Sequence, residues 1–159
     1  MTTSLGATTM AAIDLDSARE AARRLVTRFV FNAVQSGASE AQIFFDGQQI
    51  TTSYHLNGEW RRQEDMPAAI WPQILRRVRN MAFLTLGPQP PRQEGVSQLV
   101  ILDRKKGEER HYELGLVIEH TESQDDIRIY IPDPISRPYK KTAGYEFVCG
   151  EKCDISNGF

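Results

Sequence analysis

The chain has 159 residues, 40% of them hydrophobic and 25% charged, with 11 glycines and 8 prolines, which excludes a disordered, collagen-like or coiled-coil chain. Nineteen basic against 21 acidic residues leave a formal charge of −2, so there is no overall positive field to recruit nucleic acid or anionic membrane. No apolar run approaches the about 18 residues of a membrane span, and the N-terminal stretch has neither the basic region nor the apolar core of a secretory signal.

Length suits one domain with its own core, needing no disulfide or metal staple. Residues 1–15 are rich in Thr, Ala and Ser and read as a flexible leader. A helix is expected over about residues 16–36. Ser17 and Glu20 have capping-box spacing, and Asp14 and Asp16 suit the positive helix end. Ala18, Ala22, Leu25, Val26, Phe29, Ala33 and Val34 form one helical stripe, and Gly37 supplies a left-handed stop. Ile43, Phe44 and Phe45 make a short strand core before the turn dipeptide Asp46–Gly47. Ile50, Thr52, Tyr54 and Leu56 then alternate as a half-buried second strand. Asn57–Gly58 repeats the turn signal ahead of Trp60, predicting a short third strand.

A second helix is expected over about residues 67–84, with Pro67 in its first turn and Pro72 restarting or kinking it. Ile74, Leu75, Val78, Met81 and Ala82 form its apolar stripe, while Arg76, Arg77 and Arg79 lie off it. A proline-rich loop follows, and three strands after it: SQLVILD, then Tyr112, Leu114, Leu116 and Ile118 in alternation, then Ile127, Ile129 and Ile131. Pro132, Pro134 and Pro138 end regular structure, and residues 132–159 read as an irregular tail.

Strands joined by tight turns pair antiparallel, and two amphipathic helices cover one face of a sheet. Residues 16–131 are therefore expected to form an α+β, two-layer domain, its mainly antiparallel sheet of about five to six strands carrying both helices. Leu25, Phe29, Ala33, Ile74, Val78 and Met81 should face Ile43, Leu114, Leu116, Ile127 and Ile129 across one core.

Four short motifs recur in order along this frame: GASEAQIFF from Gly37, YHLNG from Tyr54, RVRNMA from Arg77 to Ala82, and RQEG from Arg92 to Gly95. In register they resemble the "GASDIHIEP", "VRYRIDG", "RIKVMA" and "PQDGR" motifs of a known module. It is the PAS-like N-terminal adaptor domain that precedes the motor in type II secretion and type IV pilus ATPases. The resemblance covers roughly residues 17–131, most of one domain, and implies a PAS-like two-layer fold. Arginines that reach nucleotide in those ATPases fall here on Ser53, His55 and Val96, and near Gly115 or Leu116. The charge-assisted forks that hold phosphate best are thus missing. The sequence contains no G-x-x-x-x-G-K-[ST] motif, so no ATP hydrolysis is expected.

The resemblance implies a cytoplasmic, non-catalytic interaction module that docks onto a partner protein, such as a secretion, pilus or phage-defence component. The candidate partner- or anion-binding residues are Arg76, Arg77, Arg79, Arg92, Gln93 and Glu94. Arg77, Arg79 and Arg92 are expected to converge near one end of the second helix. The alternative is a nucleotide- or nucleic-acid-binding domain using this arginine-rich face. The bland reading is a solvated helix face.

No catalytic residue, metal ligand or cofactor is assigned. Cys149 and Cys153 suit a reducing cytoplasm and lack the four ligands of a closed zinc site. Glu119, Glu122, Asp125 and Asp126 do not have the spacing of a calcium loop and read as a solvated turn between strands. G-x-S-x-G is absent, and neither cysteine has a recognisable partner for nucleophilic chemistry.

Overall fold

A computed structural model describes residues 14–84 and 86–138. Cys149 and Cys153, and most of the stretches read as leader and tail, lie outside the described residues. Helix α1 runs from Leu15 to Gln35. Its cap is Asp14, whose carboxylate accepts from the Asp16 N–H at 3.2 Å. The Ser17–Glu20 capping box does not form, because the helix starts at Leu15 and puts Ser17 inside it; Glu20 instead binds Arg23 at 2.7 Å and Arg24 at 3.1 Å. Gly37 ends the helix at φ 78°, and the Ala38 N–H reaches back to the Ala33 carbonyl.

Strands β1 (Glu40–Phe45), β2 (Ile50–Leu56) and β3 (Glu59–Arg62) form a meander. The two-residue β2–β3 turn places Asn57 and Gly58 at φ 51° and 82°, the paired positive angles of a type I′ hairpin. A short 3-10 turn at Ala68–Ile70 leads into α2, Trp71–Met81. Strands β4 (Arg92–Asp103), β5 (Glu108–His120) and β6 (Asp125–Tyr130) complete a second meander.

The sheet order is β3-β2-β1-β6-β5-β4, all antiparallel. A seventh strand, β7 (Ile135–Pro138), pairs with the Glu108–His111 end of β5. The sequence reading assigned this segment to an irregular tail. Pro132, Pro134 and Pro138 hide it, and its register comes from β5 rather than from an apolar alternation of its own.

Both helices lie against one face, giving the expected α+β two-layer architecture. Two cross-strand rows make the sheet's half of the core: Ile118, Ile127, Ile43 and Thr52, and beside them Leu116, Ile129, Ala41 and Tyr54. Phe29, Ala33, Ile74, Val78 and Met81 are buried with them. Leu25 is an exception among the expected core residues and is half-buried. The stripe of α1 centres on Ala22, Val26, Val30 and Ala33, which leaves Leu25 at its margin.

Helix α2 ends three residues earlier than the sequence reading placed it. Phe83 turns left-handed at φ 56°. The Leu84 N–H bonds the Arg79 carbonyl at 2.8 Å, closing the helix without a glycine.

Candidate functional site

The six residues singled out from sequence do not share one surface. Arg76 and Arg77 line a cleft of about 220 Å³ between α1 and α2, opposite Asp16, Arg19, Glu20 and Arg23. Burial, and the nearby Arg23 guanidinium after it, push the Arg77 guanidinium down from its ordinary value. Arg79 is buried at 6% exposure and donates from Nη2 to the Gly87 carbonyl at 3.2 Å. It braces the loop after α2. Gln93 is buried on the helix-covered side of β4.

Arg92 and Glu94 lie on the opposite side of β4. Arg92 pairs with Glu94 at 2.8 Å and with Glu119, its register partner on β5, at 3.4 Å. The Glu94 hydrogen bond is the main cause of a guanidinium value raised above the ordinary one. The expected convergence of Arg77, Arg79 and Arg92 is therefore not found. Strand alternation sends Arg92 to the far face of the sheet, while Arg77 and Arg79 stay with the helices.

Among the described residues, no helix lies over the far face. One cross-strand row on it runs Val96, Gly115, Tyr130, Glu40, His55 and Trp60. Val96, Tyr130 and Trp60 are 45%, 42% and 42% exposed, large for apolar side chains on one row. Gly115 has no side chain, and the Tyr130 ring leans over it: a Cβ built there would meet Tyr130 Cδ2 at 3.7 Å. At the other end, Trp60 stands edge-on to His55 with ring centroids 5.0 Å apart. Arg128 lies over the Trp60 ring, 5.5 Å from its centroid, and pairs with Asp126 at 3.4 Å. The rings are thus held in place before any partner arrives.

The charge on this face is acidic. Arg92, Arg128 and Arg62 each have a carboxylate partner, the last being Asp65 at 3.0 Å. Glu40, within the row, and Glu113, on the same side of β5, have no ion-pair partner among the described residues. The sequence reading placed Trp60 on a short third strand and did not assign it to this row. The signal was present in the turn at Asn57–Gly58, which fixes the β2–β3 register and hence sets Trp60 opposite His55.

Asp125 also departs from the sequence reading. It is buried at 6% exposure, not part of a solvated turn. Its Oδ2 accepts from Trp71 Nε1 at 3.0 Å, its Oδ1 accepts from Gln89 Nε2 at 3.2 Å, and His120 Nδ1 lies 2.5 Å from Oδ1. The Trp71 ring stacks on Phe45 at 4.9 Å. This network joins α2, the proline-rich loop and β6. Among the described residues, no group of three or more His, Cys, Asp or Glu is placed to hold a metal ion, and no helix is long and apolar enough to cross a membrane.

Compared with known proteins, the chain matches no protein-family model and no curated protein.

Proposed function

We propose that this chain is a non-catalytic interaction module that docks onto a partner protein through the uncovered face of its sheet. The observation that supports the reading is the row of Val96, Tyr130 and Trp60, three exposed apolar side chains set in register across six strands. Exposed aromatics held rigidly by neighbours bind at low entropic cost, and such residues dominate interface energies. The partner that fits is a protein surface with an apolar centre and basic residues around it, because Glu40 and Glu113 are the charges left unneutralised here. Arg92, Glu94 and Glu119 border the row as an ion-paired rim that is itself acidic by one charge.

The resemblance to the secretion and pilus ATPase adaptor domain supports the same reading, since the two-layer α+β fold is the one that it implies. On that resemblance, the partner is a motor or another component of an envelope or defence machine. Nucleotide or nucleic acid is less well supported. Phosphate recognition is best served by several unpaired, exposed guanidinium groups on one surface. On the docking face Arg62, Arg92 and Arg128 are each engaged by a carboxylate, and of the helix arginines Arg79 is buried against the Gly87 carbonyl.

The test is affinity capture from the source cell extract, followed by binding measurements with the purified captured protein. The Trp60→Glu/Tyr130→Glu variant should weaken binding by about a hundredfold, as loss of two hot-spot anchors does, with an unchanged melting temperature. Binding by the parent should also weaken as salt rises. Equal binding by the variant, or a captured protein whose contact surface is acidic, would sink the proposal.

A further inference from the structure

A cavity of about 390 Å³ opens on the helix-covered side, where α1 passes over β2 and the segment after β3. It shares no residue with the docking row. Its volume falls at the lower end of the about 300–1,000 Å³ of small-ligand sites. Leu25 and Phe29 from α1 and Met66 from the segment after β3 give it apolar walls. Two hydroxyls on β2 hold those walls apart. Tyr54 Oη donates to the Phe29 carbonyl at 2.6 Å, fixing α1, and Thr52 Oγ1 donates to the Glu64 carbonyl at 2.7 Å, fixing the opposite segment. Burial pushes the Tyr54 phenol well above its ordinary value, so it stays a donor.

The charges at the mouth are placed unusually. Elsewhere on α1, Arg19 pairs with Asp16, and Arg23 and Arg24 pair with Glu20. Arg28 lines the cavity and is held by no carboxylate among the described residues. Asn32, one turn further along the same helix, lines it too, and among the described residues no hydrogen bond occupies its side-chain amide. On the facing segment, Asp65 is taken by Arg62, whereas Glu64 has no cation partner among the described residues. Arg28 and Asn32 on one side and Glu64 on the other thus line the same cavity, and neither charge has an ion-pair partner among the described residues. Leu25, Phe29 and Met66 add apolar surface to the same cavity.

We propose that this cavity binds a small zwitterion with an apolar body, of the class of the free apolar α-amino acids. The ligand carboxylate would sit against Arg28 and Asn32, its ammonium against Glu64, and its side chain among Leu25, Phe29 and Met66. Carboxylate recognition by guanidinium and ammonium recognition by carboxylate are both charge-assisted, so each end carries affinity. The hydroxyl bonds from β2 set the spacing beforehand, which lowers the cost of ordering.

Isothermal titration calorimetry on the full chain tests this with L-leucine, L-isoleucine, L-valine and L-phenylalanine. N-acetyl-L-leucine and L-leucinamide, each lacking one charge, are the controls. At least one free amino acid should give a saturable one-site isotherm, and each blocked analogue should bind about tenfold or more weakly. Arg28→Gln and Glu64→Gln should each lose binding by a similar factor while keeping the parental melting temperature, since both side chains lie at an exposed mouth. No binding by any of the four at millimolar concentration would overturn the proposal. So would blocked analogues that bind as well as leucine, or binding that survives both substitutions.

Discussion

Asp125 is where single-residue chemistry weighs most on this molecule. A buried carboxylate costs free energy unless its lone pairs are met, and here Trp71, Gln89 and His120 meet them. Truncating it strands an indole N–H inside the core and frees the loop that Gln89 anchors. Asp125→Ala is therefore expected to cost about 3 kcal/mol in denaturant unfolding. Asp125→Asn should cost less, because its amide still offers one acceptor; a loss below about 1 kcal/mol for the alanine variant would show the network to be inert. Glu20 gives the corresponding surface case. The Arg23 hydrogen bond holds its carboxyl down to about 2 from an ordinary 4.5. A depressed value means that the stabilisation is complete above 4.5 and fades as pH falls toward 2. The melting-temperature gap between parent and Glu20→Gln should therefore be constant near neutrality and close in acid. A gap that persists at the acid limit would refute the assignment. Neither the Asp125 network nor the docking row was legible from sequence. Asp125 and Trp71 lie 54 positions apart, and a carboxylate flanked by Gln124 and Asp126 looks solvated until β6 pairs its backbone into the sheet.

At the scale of elements, close approach of α2 to β4 sets the geometry of the helix layer. Gly95 faces the end of α2, and a Cβ there would lie 2.9 Å from Ala82 Cβ, 3.0 Å from Leu84 Cδ2 and 3.1 Å from the Ala82 carbonyl oxygen. The last contact is backbone and cannot swing aside. Gly95→Ala should therefore destabilise the fold by about 2 kcal/mol through overpacking, read as a lower denaturation midpoint at unchanged slope. Parental stability would show that the end of α2 shifts freely. The elements themselves were largely legible. The apolar stripe of α1 and the alternation in β5 and β6 report local burial, the Asn57–Gly58 turn reports local backbone conformation, and these elements follow. The end of α2 was not, because MAFL continues the apolar pattern while Phe83 breaks the helix through φ alone. β7 was not legible either, since four exposed residues among prolines owe their strand geometry to β5.

Among the described residues the helices cover one face of the sheet, so protection against association rests on the other face and on the sheet edges. A net charge of −2 gives little long-range repulsion, so local charge at the edges carries the protection. Among the described residues the outer edge of β3 is unpaired, and its residues Glu59, Trp60, Arg61 and Arg62 are all exposed. Its arginines do two things: they place charge beside unpaired backbone groups, and they flank Trp60 so that the strand does not present an apolar run. Arg61 lies near Glu59 at 4.0 Å and Arg62 binds Asp65, pairs too exposed to matter much for stability. Replacing both by valine would leave the fold standing while converting the edge into a β-branched, aromatic segment of the kind that templates strand addition. The Arg61→Val/Arg62→Val variant should accordingly keep a melting temperature within a few degrees of the parent, yet sediment as larger species at equal concentration. Carrying Trp60→Lys in addition should reverse that association. If the double variant sediments as the parent does, the edge is protected by the twist of the β2–β3 hairpin rather than by charge.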